Sequence, residues 1–403
     1  MSQSLLYHAF GIPSTYRYVH TEYREGAVWF AVRPEVEPEC CPRCQSREFG
    51  GHGQRERNVR TVPIGRKAVW LKVEVRRYRC RDCGQTWEIQ PPFVGPYEQV
   101  SLQLKRYVMD LSRMMTIMDV AELTGLSWDT VKEIVKEGLG AEYAHIRLKG
   151  LVRLAIDEIY LGRSKKYLTL VIDQETGRIV WVGRGRAGEA LHGFWRRLKA
   201  SGAKIEAVAM DMSQAYAMAV ARHLPGALIV FDRFHVMKLM NEKLDDLRRQ
   251  LVREAESQDA KAAIKGTRWL LLYRRENLPE DRADELRKAL EMNEPLATAY
   301  MMKEELGLGW EQPSREAMAD FFCAWCEKAI ASGIKQLISM AKCLAEHAEG
   351  LLSYAVTKMT NGRMEGINRK IKTLLRQVYG FRDDDFLRLK LYALHESKHK
   401  LVG

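Results

Sequence analysis

The chain has 403 residues, too many for one small core, and with 46% hydrophobic residues it excludes a disordered protein and points to two to four folded units. Lys and Arg (64) outnumber Asp and Glu (52), a net charge of +12, which favours a polyanionic partner such as nucleic acid over an acidic small molecule. No apolar run is long enough to span a bilayer and MSQSLLYHAFGIPSTYRY lacks a basic-then-apolar secretory pattern, so a cytoplasmic protein with no membrane partner is expected.

Residues 1–95 read as a small β-rich module. In AVWLKVEVRRYRC, Val69, Leu71, Val73 and Val75 share one face of a strand, while Lys72, Glu74 and Arg76 point to water. Two antiparallel stretches return the chain between CPRC (41–44) and CRDCG (80–84), bringing Cys41, Cys44, Cys80 and Cys83 together as in a zinc ribbon. Four thiolates satisfy Zn2+ tetrahedrally with no open position, so the metal is expected to be structural. Cys40 is adjacent to Cys41 and can take its place. The Pro and Gly of PPFVGPYEQV (91–100) suggest a linker.

Residues 96–148 read as helices with a helix-turn-helix pattern. The first helix spans 116–123, the turn is Thr124, Gly125 and Leu126, and Ser127 caps a second helix carrying Trp128, Thr130, Lys132 and Lys136, the candidate DNA contacts. An ordinary helical hairpin uses the same turn; the zinc ribbon and the basic charge favour DNA binding.

From Leu151 the pattern changes to three short strands, then helix, strand, helix, strand, the order of a ribonuclease-H-like domain. Asp173 reads as a turn residue after the second of these strands. Residues 236–355 are helical in pattern, with Met240, Leu244, Leu247 and Leu251 on one stripe. Cys323, Cys326, Cys343 and His347 have spacing that a second zinc can use, although FFCAWCEKAI reads as a buried helix.

Asp157 and Asp211 each close an apolar strand, and ligands of open α/β sheets sit at the carboxyl ends of strands. Glu365 can reach in from a basic helix on which Asn361, Glu365, Asn368, Arg369 and Lys372 recur at three- and four-residue steps. That face suits a phosphate backbone, with Arg369 and Lys372 touching DNA. Three carboxylates match a hard ion such as Mg2+, with Mn2+ able to substitute, and two such ions about 3.5 to 4 Å apart clamp an in-line displacement at phosphorus. Taken singly, each acid is better explained by a strand-end salt bridge or helix cap; all three in this order on this strand pattern favour the metal site.

The sequence resembles the DDE transposases of bacterial insertion sequences in the ISL-three group. The likeness covers nearly the whole chain: CPRC and CRDCG, the helix-turn-helix, IDE, Tyr167 in KKYLTLVIDQETG, DMSQAY, FDRFHV, RWLLLYRRENL, ATAYMMKEEL and TNGRMEGINRKIK. The resemblance implies that Asp157, Asp211 and Glu365 form the catalytic triad. It further implies that a helical block, about 240–355, interrupts a ribonuclease-H-like domain at 149–403, and that the N-terminal modules read terminal inverted repeats. Asp232 and His235 match the group's accessory motif, though a strand-end acid and a helix-starting His explain them equally. The expectation is therefore a multidomain α/β transposase, a homo-oligomer pairing two element ends in a synaptic complex with target DNA, associated with the bacterial nucleoid. A transposase-derived DNA-binding regulator without catalysis and a ribonuclease-H-fold nuclease are the alternatives.

Overall fold

The computed structural model describes residues 3–161, 167–186, 188–273, 275–360, 362–378 and 381–395. The chain divides into two compact units, one of residues 1–145 and 375–403, the other of 146–374. The first opens with α1 (Gln3–Phe10), a short helix inside the stretch read as β-rich, whose Leu6 and Phe10 are buried. Then come β1 (Tyr16–Arg24), β2 (Ala27–Pro34), β3 (Phe49–Ile64), β4 (Lys67–Cys80) and β5 (Thr86–Glu88). The sheet order is β1-β2-β4-β3 with β5 on β4, and only β2 and β4 are parallel.

Side-chain alternation fixes the register of β4. Val69, Leu71, Val73 and Val75 are all buried, packed with Phe30, Val32 and Val59. Lys72, Glu74 and Arg76 are half-buried rather than in open water. The same sheet carries Trp29 stacked on Trp70 at 5.2 Å, with the Arg24 guanidinium 4.1 Å from the Trp29 ring. Gly65, at φ +59°, makes the tight turn from β3 to β4, where Ile64 pairs with Lys67. At the far end of this ribbon Phe49 pairs with Cys80, which brings the two Cys-x-x-Cys loops together.

The 91–100 stretch is fastened to β3 instead of acting as a free linker. Arg57 donates to Gln90 Oε1 (3.1 Å) and to the carbonyls of Gly95 (3.1 Å) and Glu98 (2.7 Å). The Arg60 amide donates to Gln99 O (2.6 Å), and the Ser101 amide donates back to Arg60 O (2.8 Å). Beyond lie α2 (Leu102–Leu111), α3 (Ile117–Thr124) and α4 (Trp128–Glu142). Thr116 and Asp119 form a capping box on α3, Gly125 (φ +68°) ends it, and Ser127 caps α4 by accepting from the Thr130 amide. The buried Arg60 side chain donates to Val69 O (3.0 Å) and Thr124 O (2.8 Å), tying the sheet to the turn between α3 and α4.

The second unit contains β6 (Arg153–Tyr160), β7 (Tyr167–Asp173), β8 (Ile179–Arg184), α5 (His192–Ser201), β9 (Ala207–Met210), α6 (Gln214–His223) and β10 (Leu228–Phe231). The order is β10-β9-β6-β7-β8, with β10, β9 and β6 parallel and β7 and β8 antiparallel, consistent with a ribonuclease-H-like fold. Helices α7 (Arg233–Glu254), α8 (Gln258–Gly266), α9 (Glu280–Glu291), α10 (Glu294–Gly307), α11 (Arg315–Ala331), α12 (Lys335–Glu346) and α13 (Ala348–Thr357) then intervene before α14 (Gly362–Gln377). Met240, Leu244 and Leu247 are buried, so the α7 stripe packs in the core.

The division between the units falls within α14. Residues 375–403, within the span 149–403 expected for the catalytic domain, cluster with the N-terminal unit, which also takes in 1–95 and 96–145, while 146–148 fall in the second unit. Charge and burial hold this C-terminal segment in place. Asp383, which caps α15 (Asp384–Tyr392), receives Lys136 Nζ at 2.8 Å and Lys132 Nζ at 3.3 Å. Lys390 Nζ donates to Ser112 O (2.9 Å), and Tyr392 stacks on Tyr143 with ring centroids 6.2 Å apart.

Candidate active site and metal-binding cluster

Parallel pairing sets the acids side by side. The β6 and β9 register includes Ala155↔Ala209, and two residues further along both strands stand Asp157 and Asp211. On the other side of β9, Phe231 pairs with Met210, and the next residue, Asp232, donates its amide to Met210 O (3.1 Å). Asp211 and Asp232 therefore follow the carboxyl ends of β9 and β10, whereas Asp157, expected to close its strand, lies inside β6, which continues to Tyr160 because Glu158, Ile159 and Tyr160 still pair with β7.

Their bonds differ. Asp157 Oδ1 accepts from the Glu158 amide (2.7 Å), and Oδ2 accepts from Asn368 Nδ2 (2.7 Å). Burial pushes the Asp157 carboxyl above its ordinary range, against the pull of those bonds and of His235. Asp211 Oδ1 accepts from the Ser213 amide (3.1 Å). Asp232 caps α7 through the Phe234 amide (3.2 Å) and lies 3.2 Å from His235 Nδ1. That bond raises His235, and the charges of Asp157, Asp232 and Asp211 add to the effect. Glu158, the next side chain along β6, accepts instead from the Tyr216 hydroxyl (2.7 Å).

Glu365 lies in the first turn of α14, whose Met364, Ile367 and Ile371 are buried. The start of this helix is pinned to the turn after β7. Gln174 Nε2 donates to Thr360 O (3.0 Å), and Arg363 Nη1 donates to Gln174 O (2.7 Å). Asp173 shapes that turn by accepting from the Glu175 amide (3.0 Å) and the Thr176 hydroxyl (2.6 Å). The Glu365 carboxylate is 46% exposed and receives Arg369. Among the described residues, the only three or more His, Cys, Asp or Glu ligand atoms gathered within 4.8 Å of one another are cysteine sulfurs, so Asp157, Asp211 and Glu365 are not drawn into one cluster. Lys372 is exposed on the same helix, and Asn361 lies outside the described residues. Sequence reasoning placed Asn368 on this face but missed its bond to Asp157, which joins positions 211 apart in the chain. Beside the His235 imidazole, the site offers oxygen donors: the carboxylates, and an Asn368 Oδ1 that is buried without a partner among the described residues. Such donors fit a hard divalent ion.

The gathered sulfurs are Cys41, Cys44, Cys80 and Cys83. Cys41 and Cys83 Sγ are 3.7 Å apart, and Cys44 and Cys80 Sγ 3.6 Å. Thiolates bound tetrahedrally at about 2.3 Å from zinc stand roughly 3.8 Å from one another, so the set fits that ion with little adjustment. Burial opposes ionisation of Cys41, yet the amides of Cys44 and Arg43 bring its thiol down to about 7. Cys40 turns away and donates to Gln45 Oε1 (3.1 Å). Cys343 Sγ approaches His347 Nδ1 at 3.8 Å, but among the described residues these two gather no second group with Cys323 and Cys326.

On α4, Trp128 is exposed at the first turn with Lys132 Nζ 5.5 Å from its ring, and Thr130 Oγ1 bonds Ser127 Oγ (2.8 Å). Lys132 and Lys136 both turn to Asp383, whose carboxyl they hold well below the ordinary range, Lys136 foremost. Asp129, Glu133 and Glu137 occupy the exposed stripe of α4. The pairing with Asp383 was not legible, because RDDDF reads as a plain helix start.

Comparison with known proteins bears on all these features. Residues 154–391 match a family of transposases, the DDE transposases of the ISL3 group. Residues 37–83 match the zinc-finger of transposase IS204/IS1001/IS1096/IS1165, and residues 89–138 match the helix-turn-helix domain of transposase family ISL3. The transposase for insertion sequence element IS1001 of Bordetella parapertussis is 33% identical over 367 residues, covering 90% of each chain. The transposase for insertion sequence element IS1557 of Mycobacterium tuberculosis is 26% identical over 374 residues, covering 86% of this chain and 83% of that one. A solved Drosophila P element transposase strand transfer complex aligns at TM-score 0.38 and 11% identity, over 80% of this chain and 95% of that one, too loosely to add to these matches.

Proposed function

This chain belongs to the ISL3 family and is a DDE-type DNA transposase, and from that premise we propose that Asp157, Asp211 and Glu365 are the three carboxylates that hold its divalent ions, a pair of Mg2+ for which Mn2+ can substitute. The observation that carries this reading is the register that sets Asp157 beside Asp211, with α14 bonded to Asp157 through Asn368 one turn from Glu365. When bound, the ions supply Lewis-acid activation of the attacking oxygen and stabilisation of the leaving 3′ oxygen. The residues of the chain position them. The Glu158 amide and the Asn368 side chain fix the two oxygens of Asp157, and the Ser213 amide fixes one of Asp211. The exposed i,i+4 pair of Glu365 with Arg369 is worth no more than about 0.5 kcal/mol, too little to keep the carboxylate from a divalent ion. Arg369 then shares with Lys372 the task of meeting the phosphate backbone.

We assign Cys41, Cys44, Cys80 and Cys83 to a structural zinc and the N-terminal unit to the terminal inverted repeats. DNA meets α4 at its first turn, where Trp128 and Thr130 stand clear of the acidic stripe, with Lys132 and Lys136 in support at the side held by Asp383. Two element ends and one target require at least two active sites, so the working form is a homo-oligomeric synaptic complex, on the nucleoid in the bacterial cytoplasm. Among the described residues no helix is long and apolar enough to cross a membrane.

The test is strand transfer with labelled end DNA, target DNA and Mg2+, comparing wild type with Asp157→Asn, Asp211→Asn and Glu365→Gln. Wild type joins 3′ ends to target, and each variant binds the end without cutting or joining. A variant that still joins at the wild-type rate removes its residue from the triad.

A further inference from the structure

One oxygen at the proposed divalent-ion site is not accounted for by the three acids. Asn368 lies one turn beyond Glu365 on α14 and donates Nδ2 to Asp157 Oδ2 at 2.7 Å. Its own Oδ1 is closed to solvent and has no hydrogen-bond partner among the described residues. Exchanging the two ends of the amide does not relieve this, because it would set the amide oxygen against a carboxylate oxygen. The two amide ends share one carbon, so the orphaned oxygen is held beside Asp157. A buried carbonyl oxygen left unbonded is unfavourable, and Asn carbonyls are ordinary ligands of hard divalent cations.

We propose that Asn368 is a fourth metal-holding residue, fixing Asp157 through its N–H and offering its own oxygen to the same divalent ion. The proposal rests on the assignment of Asp157 to that ion. It makes the motif on α14 a pair, an acid and an amide one turn apart, with the basic residues outside it. The Arg369 and Lys372 side chains are exposed on this helix, whereas the Asn368 oxygen is not.

The experiment measures Mn2+ binding to the zinc-loaded full chain by electron paramagnetic resonance, and the rise in melting temperature that Mn2+ produces. Wild type is compared with Asn368→Ala, Asn368→Asp and Asp157→Asn. Residues that support a metal's ligands typically matter about 10- to 100-fold in affinity, so Asn368→Ala should weaken Mn2+ binding at least about tenfold and shrink the melting shift. Asn368→Asp keeps an oxygen at the site and adds a charge that repels Asp157. It should bind Mn2+ at least as tightly as wild type and show a larger melting shift, an effect that a merely structural role would not produce. If Asn368→Ala binds like wild type while Asp157→Asn does not, Asn368 only packs α14 and the proposal is overturned. If Asp157→Asn also binds like wild type, the acid assignment itself falls and carries this inference with it. Should Asn368→Ala fail to fold, a tenfold loss of Mn2+ affinity in Asn368→Asp is the overturning result.

Discussion

Replacing Arg60 by Ala tests whether the zinc ribbon and the helix-turn-helix act as one body. Arg60 is 6% exposed and donates to Val69 O in β4 and Thr124 O before the α4 turn. A hydrogen bond from a charged donor is worth about 1.5–3 kcal/mol, and its loss also strands a buried carbonyl, so two such bonds suggest about 3–6 kcal/mol. Burying the guanidinium has a cost of its own, visible in the lowering of Arg60 by desolvation, which brings the net toward about 3 kcal/mol. For a unit of this size each kcal/mol moves the melting temperature by about 2–4 °C, so a fall of about 6–12 °C is expected. Arg55→Ala is the comparator, because Arg55 is 43% exposed in its pair with Glu88 and such surface pairs contribute at most about 1 kcal/mol. Differential scanning calorimetry of the zinc-loaded protein reads both. Below either transition, fluorescence anisotropy with end DNA should show Arg60→Ala binding about tenfold more weakly, since two modules that bind together lose effective concentration when their joint loosens. If Arg60→Ala melts and binds like Arg55→Ala, the two modules are not rigidly joined and the argument from Arg60 fails.

Acidification should release the divalent ion earlier than ordinary carboxylates would. Burial raises Asp157, so its neutral form is favoured in the folded chain: its contribution to stability is present at low pH and is lost as pH rises through the folded value. The ion needs the carboxylate, so Mn2+ affinity should begin to fall at a pH above the ordinary Asp range near 3.9, about tenfold per unit, and a wild-type profile identical to that of Asp157→Asn would sink the explanation. Cys83→Ser should surrender zinc to a chelator much faster than wild type while Cys40→Ser should not, because Cys83 Sγ is 3.7 Å from Cys41 Sγ and Cys40 faces Gln45. Zinc release followed with a chromophoric chelator decides it, and equal release rates would displace Cys83. Gly183→Ala would place a Cβ 2.1 Å from the Ala190 carbonyl oxygen, backbone that cannot step aside, so a loss of about 3 kcal/mol is expected. Gly140→Ala on α4, with nothing within 4 Å, should instead gain up to about 1 kcal/mol, and chemical denaturation showing the reverse order would refute the packing argument.

What could be read from the sequence was what local spacing controls. The alternation of Val69, Leu71, Val73 and Val75 gives β4 its buried face, and Thr116, Gly125 and Ser127 mark their helix ends through side-chain and backbone chemistry that acts within a few residues. Asp157 and Asp211 stood out for the same reason, since each follows an apolar run, although β6 continues past Asp157 to Tyr160. The interactions that escaped notice join distant segments through single side chains. Arg57 and Arg60 were not singled out, because nothing nearby in the sequence marks the carbonyls of Gly95, Glu98 and Thr124 as their partners.

Asp383 shows why such cases mislead in a consistent direction. As the acid opening a helix it is fully explained locally, and it does accept from the Phe386 amide at 3.0 Å. Its second oxygen has room for two lysines from another helix, and that second use changes the reading of Lys132 and Lys136 from candidate DNA contacts to residues already paired. The same holds for Glu365 with Arg369, where a helical i,i+4 pair already occupies the carboxylate proposed for the metal. Both pairs are between charges still partly in water, so each is weak enough to be exchanged when a polyanion or a divalent ion arrives. Sequence spacing singled out the groups proposed to bind. Which of them are free to bind depends on the pairs they already make.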